Sequence, residues 1–289
     1  MEAAFNPQIL SKDLLEVRRI YADFFAGVTG EDWVRPVKGG PREWNLHEVV
    51  AHLCALSGAG LESVECTLAG KPYVFDGLAT RYDFNAFNQR GIESHRALPQ
   101  AELCAEFLGI LNRAAAIAAD LAPEQAGLAS EMPIYNRPVK IVEALSIIMF
   151  HAGLHHSAQV TEPAGVPPLW RQLEPETRRR VITRVMRALS LLYRSDLGGD
   201  LRAAFQFRMA GPGGGNWFVS VSPEGTASGE GLADQPGLTL ALREPGVFCK
   251  LFTGRLNLLA ALLKGELRLQ GSVRLFPRFG ALFSVDARA

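Results

Sequence analysis

Histidines are concentrated in one short stretch of the sequence, FHAGLHHSAQ at residues 150–159. Three of the six histidines of the chain lie there, at His151, His155 and His156. On an α-helix, residues four apart share a face, so His151, His155 and Gln159 would line up, and His156 would point about 100° away. Two imidazoles placed in this way can bind one divalent metal ion. The alternative interpretation is a polar patch without a ligand.

A third histidine on a facing helix would favour the metal site, and His52 is the candidate. It lies in a helix predicted over residues 46–68, beside the apolar residues Val49 and Leu53. Asn45 can cap this helix, and Glu48 stands at the reciprocal position of a capping box. The sequence therefore places His52 about two turns into a helix with a well-defined start.

The N-terminal half shows four long segments with apolar residues at helical spacing. These segments are followed or separated by turn formers, which predicts an antiparallel bundle with one long crossover connection. Metal sites in such bundles are built from side chains on facing helices. The predicted helices run from Ser11 to about Phe25, from Leu46 to Leu68, from Ala101 to Leu121 and from Val139 to Thr161.

The pattern changes after a linker rich in proline and glycine at about residues 163–174. One amphipathic helix is predicted over residues 175–193, followed by short strands, two short helices, a last strand and a closing helix. This predicts a multidomain chain: an all-α four-helix bundle over residues 8–165, followed by an α+β domain over residues 174–289 with an antiparallel sheet and helices. A glycine-rich segment at residues 211–215 lies between two strands, so it does not predict a phosphate-binding loop.

Composition limits the classes of function. Thirty basic and thirty acidic residues cancel, so no binding to nucleic acid is expected. No uncharged apolar run is long enough for an integral membrane segment, and residues 1–10 lack the pattern of a signal peptide. The four cysteines are scattered, as is typical of a reducing compartment. A cytoplasmic protein is expected, and no feature predicts an oligomeric state.

The N-terminal half resembles the DinB-like superfamily, including its thiol-dependent maleylpyruvate isomerase branch. The resemblance is carried by WNLHEVVAHL at residues 44–53, DFNAFN at residues 83–88 and the histidine-rich stretch. It implies a divalent metal ion, zinc or nickel, and a low-molecular-weight thiol as cofactors. In the family, one histidine of the second helix and two ligands four apart on the last bundle helix bind the metal.

His52 matches the first of these ligands, but the second pair has two possible registers. The family register selects His156, whose partner four residues earlier would be Ala152, which cannot be a ligand. The pair His151 and His155 keeps the spacing but is one residue out of register. The predicted ligands are His52, His151 and His155, with His156 as the alternate. This set predicts that His155→Ala removes the metal and that His156→Ala retains most of it.

The C-terminal half resembles the sterol carrier protein type 2 family. The resemblance is carried by a strand with Trp217, by EGT at residues 224–226, by LFTG at residues 251–254 and by LKGELRLQGS at residues 263–272. It implies an apolar tunnel between sheet and helices for a small-molecule or lipid-like ligand. The alternative is that side chains fill this space. The candidates for that filling are Phe248, Phe252, Leu259 and Phe279.

Two functions follow from these resemblances. The first is a divalent-metal-dependent enzyme, either a thiol-dependent S-transferase or an isomerase, with a C-terminal domain for an apolar ligand. The second is a non-catalytic lipid- or sterol-binding protein in which the bundle is structural.

Overall fold

The computed structural model describes residues 3–37, 44–135 and 137–283. The chain divides into two compact units, Met1–Leu173 and Glu174–Ala289. The domain limits of 8–165 and 174–289 stay a prediction. The last six residues of the second predicted domain, 284–289, lie outside the described residues.

The N-terminal unit is helical, as predicted. Its four bundle helices, α1, α3, α5 and α7, pack together, and the small strands β1 and β2 pair antiparallel beside them. The elements are α1 (Pro7–Gly27), α2 (Gly30–Val34), α3 (Leu46–Leu68), α4 (Phe84–His95), α5 (Gln100–Asp120), α6 (Pro123–Ala126), β1 (Ala129–Ser130), β2 (Val139–Lys140), α7 (Ile141–Phe150) and α8 (Ser157–Thr161).

The last bundle helix departs from the prediction. A continuous α-helix to Thr161 was expected, but a π-helical turn at His151–His155 separates α7 from α8. A π-turn closes hydrogen bonds over five residues instead of four. It therefore adds one residue to the helix at the histidine-rich stretch.

Helix α3 is the central helix of this unit, packing against α4, α5 and α7. Among the described residues, it is the one helix long and apolar enough to cross a membrane by length and composition. The most apolar 18-residue stretch of this helix is 61% buried inside the fold, as in the core helix of a bundle. By itself this is weak evidence for a membrane span.

The C-terminal unit contains a five-stranded sheet with helices, in the strand order β5-β4-β3-β6-β7. The prediction of an antiparallel sheet is wrong at one pairing, because β6 returns beside β3 and runs parallel to it. The other pairings are antiparallel, so the sheet is mixed. The elements are α9 (Pro175–Leu192), α10 (Ser195–Gly198), β3 (Ala203–Met209), β4 (Gly215–Ser222), β5 (Gly225–Glu230), β6 (Leu238–Leu242), α11 (Pro245–Phe252), α12 (Leu258–Leu263), β7 (Leu267–Gly271) and α13 (Leu275–Leu282).

Aromatic rings pack between the sheet and the helices that follow it. Phe207 of β3 contacts Phe248 of α11 and Phe279 of α13, with ring centroids 5.9 and 5.5 Å apart. Phe252 stacks on Phe248 at 6.0 Å. Leu259 was a candidate under the alternative that side chains fill this interior, but its side chain is 69% exposed on α12.

Candidate metal centre

His52 is positioned by the start of α3. The predicted capping box is present: the Asn45 Oδ1 accepts a hydrogen bond from the Glu48 amide at 2.9 Å, and the Glu48 Oε2 accepts one from the Asn45 amide at 3.0 Å. Because these bonds fix the first turn, they also fix the direction of His52 farther along the helix. His52 is buried, and its ring lies 5.2 Å from that of Trp44.

His151 and His156 are positioned by the π-turn. The His156 amide donates to the carbonyl oxygen of His151, five residues back, at 3.1 Å. In an α-helix this amide would instead bond to the carbonyl oxygen of Ala152. That oxygen accepts a hydrogen bond from the Tyr21 hydroxyl of α1 at 3.0 Å. The Tyr21 hydroxyl therefore takes the place of the backbone amide that would bond to the Ala152 carbonyl oxygen in an α-helix.

Close packing by α1 accompanies this hydrogen bond. A Cβ atom added at Gly153 would lie 3.0 Å from the Val17 Cγ2, so the absence of a side chain at Gly153 allows α1 to approach the turn. The Tyr21 ring is held in an edge-on contact with Phe107 of α5, at a centroid distance of 4.9 Å. The π-turn is thus contacted by α1, and α5 holds the Tyr21 ring in place.

Three imidazoles meet where α3 faces this turn. The Nε2 atoms of His52 and His151 lie 3.2 Å apart. The ring of His156 lies 4.8 Å from that of His52 and 4.5 Å from that of His151. One nitrogen from each of the three rings lies within 4.8 Å of the other two. The expectation that His52 lies within reach of the last bundle helix is confirmed.

The turn brings His156, rather than His155, onto the side that faces His52. His151 and His156 are five residues apart and are the two ends of one π-type hydrogen bond. His155 is exposed, and its ring stacks beside that of His151 at 5.8 Å. The α-helical spacing from which His151 and His155 were paired does not apply here. Which of His155 and His156 binds a metal ion stays a prediction.

Burial keeps the three clustered imidazoles neutral. Burial, with a smaller contribution from the nearby His155, lowers the pKa of His52 to about 3. Burial and the repulsion among neighbouring imidazolium charges hold the pKa values of His151 and His156 well below the usual range. Neutral imidazole is the form that binds metal ions, so the cluster needs no deprotonation at neutral pH to act as a ligand set.

Gln159 selects the nitrogen that His156 can offer. The Gln159 Oε1 is a short hydrogen-bond partner of the His156 Nδ1. Because an amide oxygen only accepts, this Nδ1 carries the proton and the Nε2 keeps its lone pair. Metal-binding histidines usually donate their second nitrogen to an acceptor in this way.

The cluster fits a divalent ion by distance. With Zn–N bonds of roughly 2.0–2.1 Å, a tetrahedral ion holds two ligand nitrogens about 3.3 Å apart, close to the 3.2 Å between His52 and His151. Without an ion, these two nitrogens are compatible only when one of them donates a proton to the other. The His52 Nδ1 is buried without a hydrogen-bond partner in the described part of the chain. The imidazoles therefore do not form a closed hydrogen-bond network of their own.

Sequence reasoning missed Tyr21 as part of this site. Tyr21 lies within the first predicted helix, whose apolar residues are expected to pack in the core, and its ring is indeed buried. One signal in the sequence pointed to an irregular helix. The pair His151 and His155 is one residue out of the family register, which selects His156. An extra residue in the helix accounts for that disagreement.

Two family models match separate parts of the chain. Residues 14–139 match the mycothiol maleylpyruvate isomerase N-terminal domain, and residues 194–284 match the SCP-2 sterol transfer family. Residues 14–139 are therefore similar to a helical domain of the maleylpyruvate isomerase type, and residues 194–284 are similar to an SCP2-type domain. Both resemblances seen in the sequence are confirmed.

A solved structure supports the fold over most of the chain. It is the crystal structure of the mycothiol-dependent maleylpyruvate isomerase, with a TM-score of 0.54 and 12% identity, covering 85% of this chain and 89% of that one. At this identity the likeness establishes the fold alone.

Two curated relatives match a shorter part of the chain. Hydroxysteroid dehydrogenase-like protein 2 of Homo sapiens is 27% identical over 119 residues, which is 39% of this chain and 28% of that protein. The Bos taurus protein of the same name is 27% identical over 105 residues, or 36% of this chain and 25% of that protein. The chain thus spans about a quarter of the length of these relatives.

Proposed function

We propose that the helical domain is a divalent-metal-dependent enzyme that acts with a low-molecular-weight thiol, as an S-transferase or an isomerase. The observation that carries this proposal is the convergence of three neutral imidazoles from two facing helices, with two Nε2 atoms 3.2 Å apart. His52, His151 and His156 would hold the ion. Imidazole ligands suit zinc and nickel.

A bound divalent ion supplies a Lewis acid that lowers the pKa of a coordinated thiol or water. The protein would contribute the position and the surroundings of that group. Buried His52 and His156 keep solvent from one side of the site, whereas His151 is partly exposed. A thiol and its electrophile would therefore approach past His151 and the exposed His155.

The likeness to a mycothiol-dependent isomerase supports a thiol in this role. The four cysteines are free in the described structure, in accordance with a reducing compartment, and we place the protein in the cytoplasm. Three of these thiols, at Cys54, Cys104 and Cys249, have pKa values raised by burial. They are therefore poor nucleophiles, which favours a small molecule over these three side chains as the source of the reacting thiol.

Elemental analysis of untagged protein tests the metal proposal. We expect about one equivalent of zinc or nickel per chain in the parent protein and little in His52→Gln. The matched control is His95→Gln, because His95 lies outside the cluster and contacts Glu106. A parent protein that neither contains these metals nor binds them on titration would refute the proposal.

Spectroscopy of the cobalt-loaded protein tests the thiol separately. A small thiol that coordinates the ion should add a sulfur-to-metal charge-transfer band, which should be absent from cobalt-loaded His52→Gln. If the parent binds cobalt but no thiol changes its spectrum, the metal proposal stands and the thiol is excluded.

The second candidate is a non-catalytic lipid- or sterol-binding protein. It is favoured by the SCP2 match at residues 194–284. Native mass spectrometry of the purified full chain, followed by organic extraction, should then recover an apolar ligand. A protein with a bound lipid and no affinity for divalent metals would favour this candidate over the enzyme.

A further inference from the structure

Helix α12 exposes leucines to solvent and buries alanine. Its sequence is LLAALL, and the residue of this helix that is fully buried is Ala261. A surface helix of a soluble protein normally turns its large apolar residues inward. The four leucines are instead exposed by 38% at Leu258, 69% at Leu259, 44% at Leu262 and 80% at Leu263.

These four side chains form one continuous surface, which we call the leucine face. Leu258 and Leu262 are four residues apart, as are Leu259 and Leu263, so each pair lies on adjacent turns. The helix is fixed at its start, where the Asn257 Oδ1 accepts a hydrogen bond from the Ala260 amide at 2.9 Å. A rigid apolar surface of this kind is typical of a contact with another phase or molecule.

The segment that contains the leucine face is basic. Residues 245–283 contain six Lys or Arg and one Glu, a net charge of +5 in a chain whose total is zero. Lys264 follows α12 directly and is exposed. The Arg268 guanidinium lies beside Gly265, with its Nη2 3.8 Å from the position a Cβ would take there. Positive charge is therefore held at the C-terminal end of the leucine face.

Apolar side chains bordered by cations match one kind of surface. In an anionic bilayer, leucines enter the boundary of the acyl chains while Lys and Arg remain at the phosphate groups. A second copy of the chain docked through the same face is a poor occupant, because it would bring Lys264 and Arg268 against their own copies. We propose that the leucine face docks the SCP2-type domain on membranes that contain anionic phospholipid.

This docking would bring an apolar-ligand domain to the phase in which such ligands dissolve. It is independent of the metal centre, because all of the residues involved lie in the C-terminal unit. Binding would be peripheral and reversible, since a six-residue helix lies on a bilayer and does not cross it.

Co-sedimentation of the full chain with vesicles tests the proposal. The vesicles would contain phosphatidylcholine alone or with about 30 mol% phosphatidylglycerol. We expect partitioning at least about tenfold stronger onto the anionic vesicles, and weaker binding at high salt. Leu259→Glu/Leu263→Glu and Lys264→Glu/Arg268→Glu should each reduce it by about tenfold or more.

The matched control is Leu232→Glu, because Leu232 is 62% exposed in the connection between β5 and β6, outside the leucine face. It should bind like the parent protein. Circular dichroism and thermal melting of each variant would show that it is folded. The proposal is overturned if folded Leu259→Glu/Leu263→Glu binds as the parent does, or if the parent ignores the charge of the lipid. It is also overturned if the parent binds no vesicles and is a dimer that the leucine substitutions dissociate.

Discussion

The Tyr21 hydroxyl donates a hydrogen bond to the carbonyl oxygen of Ala152, 131 residues away in sequence and 3.0 Å away in the fold. The same carbonyl is the one that loses its α-helical partner when the His156 amide bonds to His151. A side chain of the first helix thus stabilises an irregular turn in the last helix. This turn decides which histidines face His52, so metal binding and the packing of α1 should be coupled.

Tyr21→Phe removes this donor and tests the coupling. The Ala152 carbonyl then stays buried without a partner, which costs about 1–3 kcal/mol, or the turn reverts to an α-helix and rotates His156 away from His52. The first outcome should lower the free energy of unfolding alone, whereas the second should also lower the affinity for zinc. Urea denaturation of the apo protein and competitive zinc titration would measure the two effects.

Tyr73→Phe is the matched control for this substitution. The Tyr73 hydroxyl also donates one hydrogen bond, to the exposed Glu62 carboxylate at 3.0 Å, but it lies outside the histidine cluster. We expect little change in stability or zinc affinity. Unaltered zinc affinity in Tyr21→Phe would mean that the turn forms without the tyrosine.

Alanine substitutions distinguish the two possible ligand sets. From helical spacing alone, His155→Ala was expected to remove the metal and His156→Ala to retain it. The π-turn supports the opposite outcome, because His156 belongs to the group whose nitrogens lie within 4.8 Å and His155 is exposed beside it. We expect His156→Ala to lose zinc and His155→Ala to keep most of it, as measured by elemental analysis after dialysis. Loss of zinc in His155→Ala alone would restore the original set.

Gln159 provides a graded test of the same assignment. If His156 binds the ion through its Nε2, Gln159→Leu removes the acceptor of the Nδ1 proton and should weaken zinc binding about 10–100-fold. Gln159→Glu keeps an acceptor in place and should retain affinity near that of the parent. Equal affinities for the Leu variant and the parent would indicate that His156 is not a ligand.

Structural features that depend on residues close together in the sequence were predicted. Features that depend on contacts between distant residues were not. The capping box at Asn45 and Glu48 was predicted because both partners lie within one turn. The π-turn was not predicted, because its causes, Tyr21 and the close approach of α1 at Gly153, come from another helix. The pairing of His52 with the last helix was predicted from the bundle pattern and supported by the family resemblance.

The C-terminal domain shows the same limit. Most strands were predicted from alternation, but alternation does not specify which strands are neighbours, so the parallel pairing of β3 with β6 was missed. Leu259 was named as a candidate for filling the interior, although an all-apolar helix such as α12 has no polar face to indicate its orientation. In the structure, α12 buries Ala261 and exposes its leucines, so Leu259 points away from the interior.

Acid should destabilise the apo protein through the histidine cluster. The pKa of His52 is about 3 in the folded protein and about 6.5 in an unfolded chain, so between these values the unfolded state binds more protons. Stability is therefore full above pH 6.5 and falls as the pH decreases toward 3. His52 alone should cost about 2 kcal/mol at pH 5, and His151 and His156 act in the same direction.

Urea denaturation in the presence of a chelator, at a series of pH values between 7 and 4.5, would measure this dependence. His52→Gln should show a shallower decline than the parent, because one group no longer gains a proton on unfolding. His95→Gln serves as the control, because His95 lies outside the cluster. Equal slopes for the parent and His52→Gln would show that His52 takes up its proton in the folded state, and that its surroundings are more polar than the packing around it indicates.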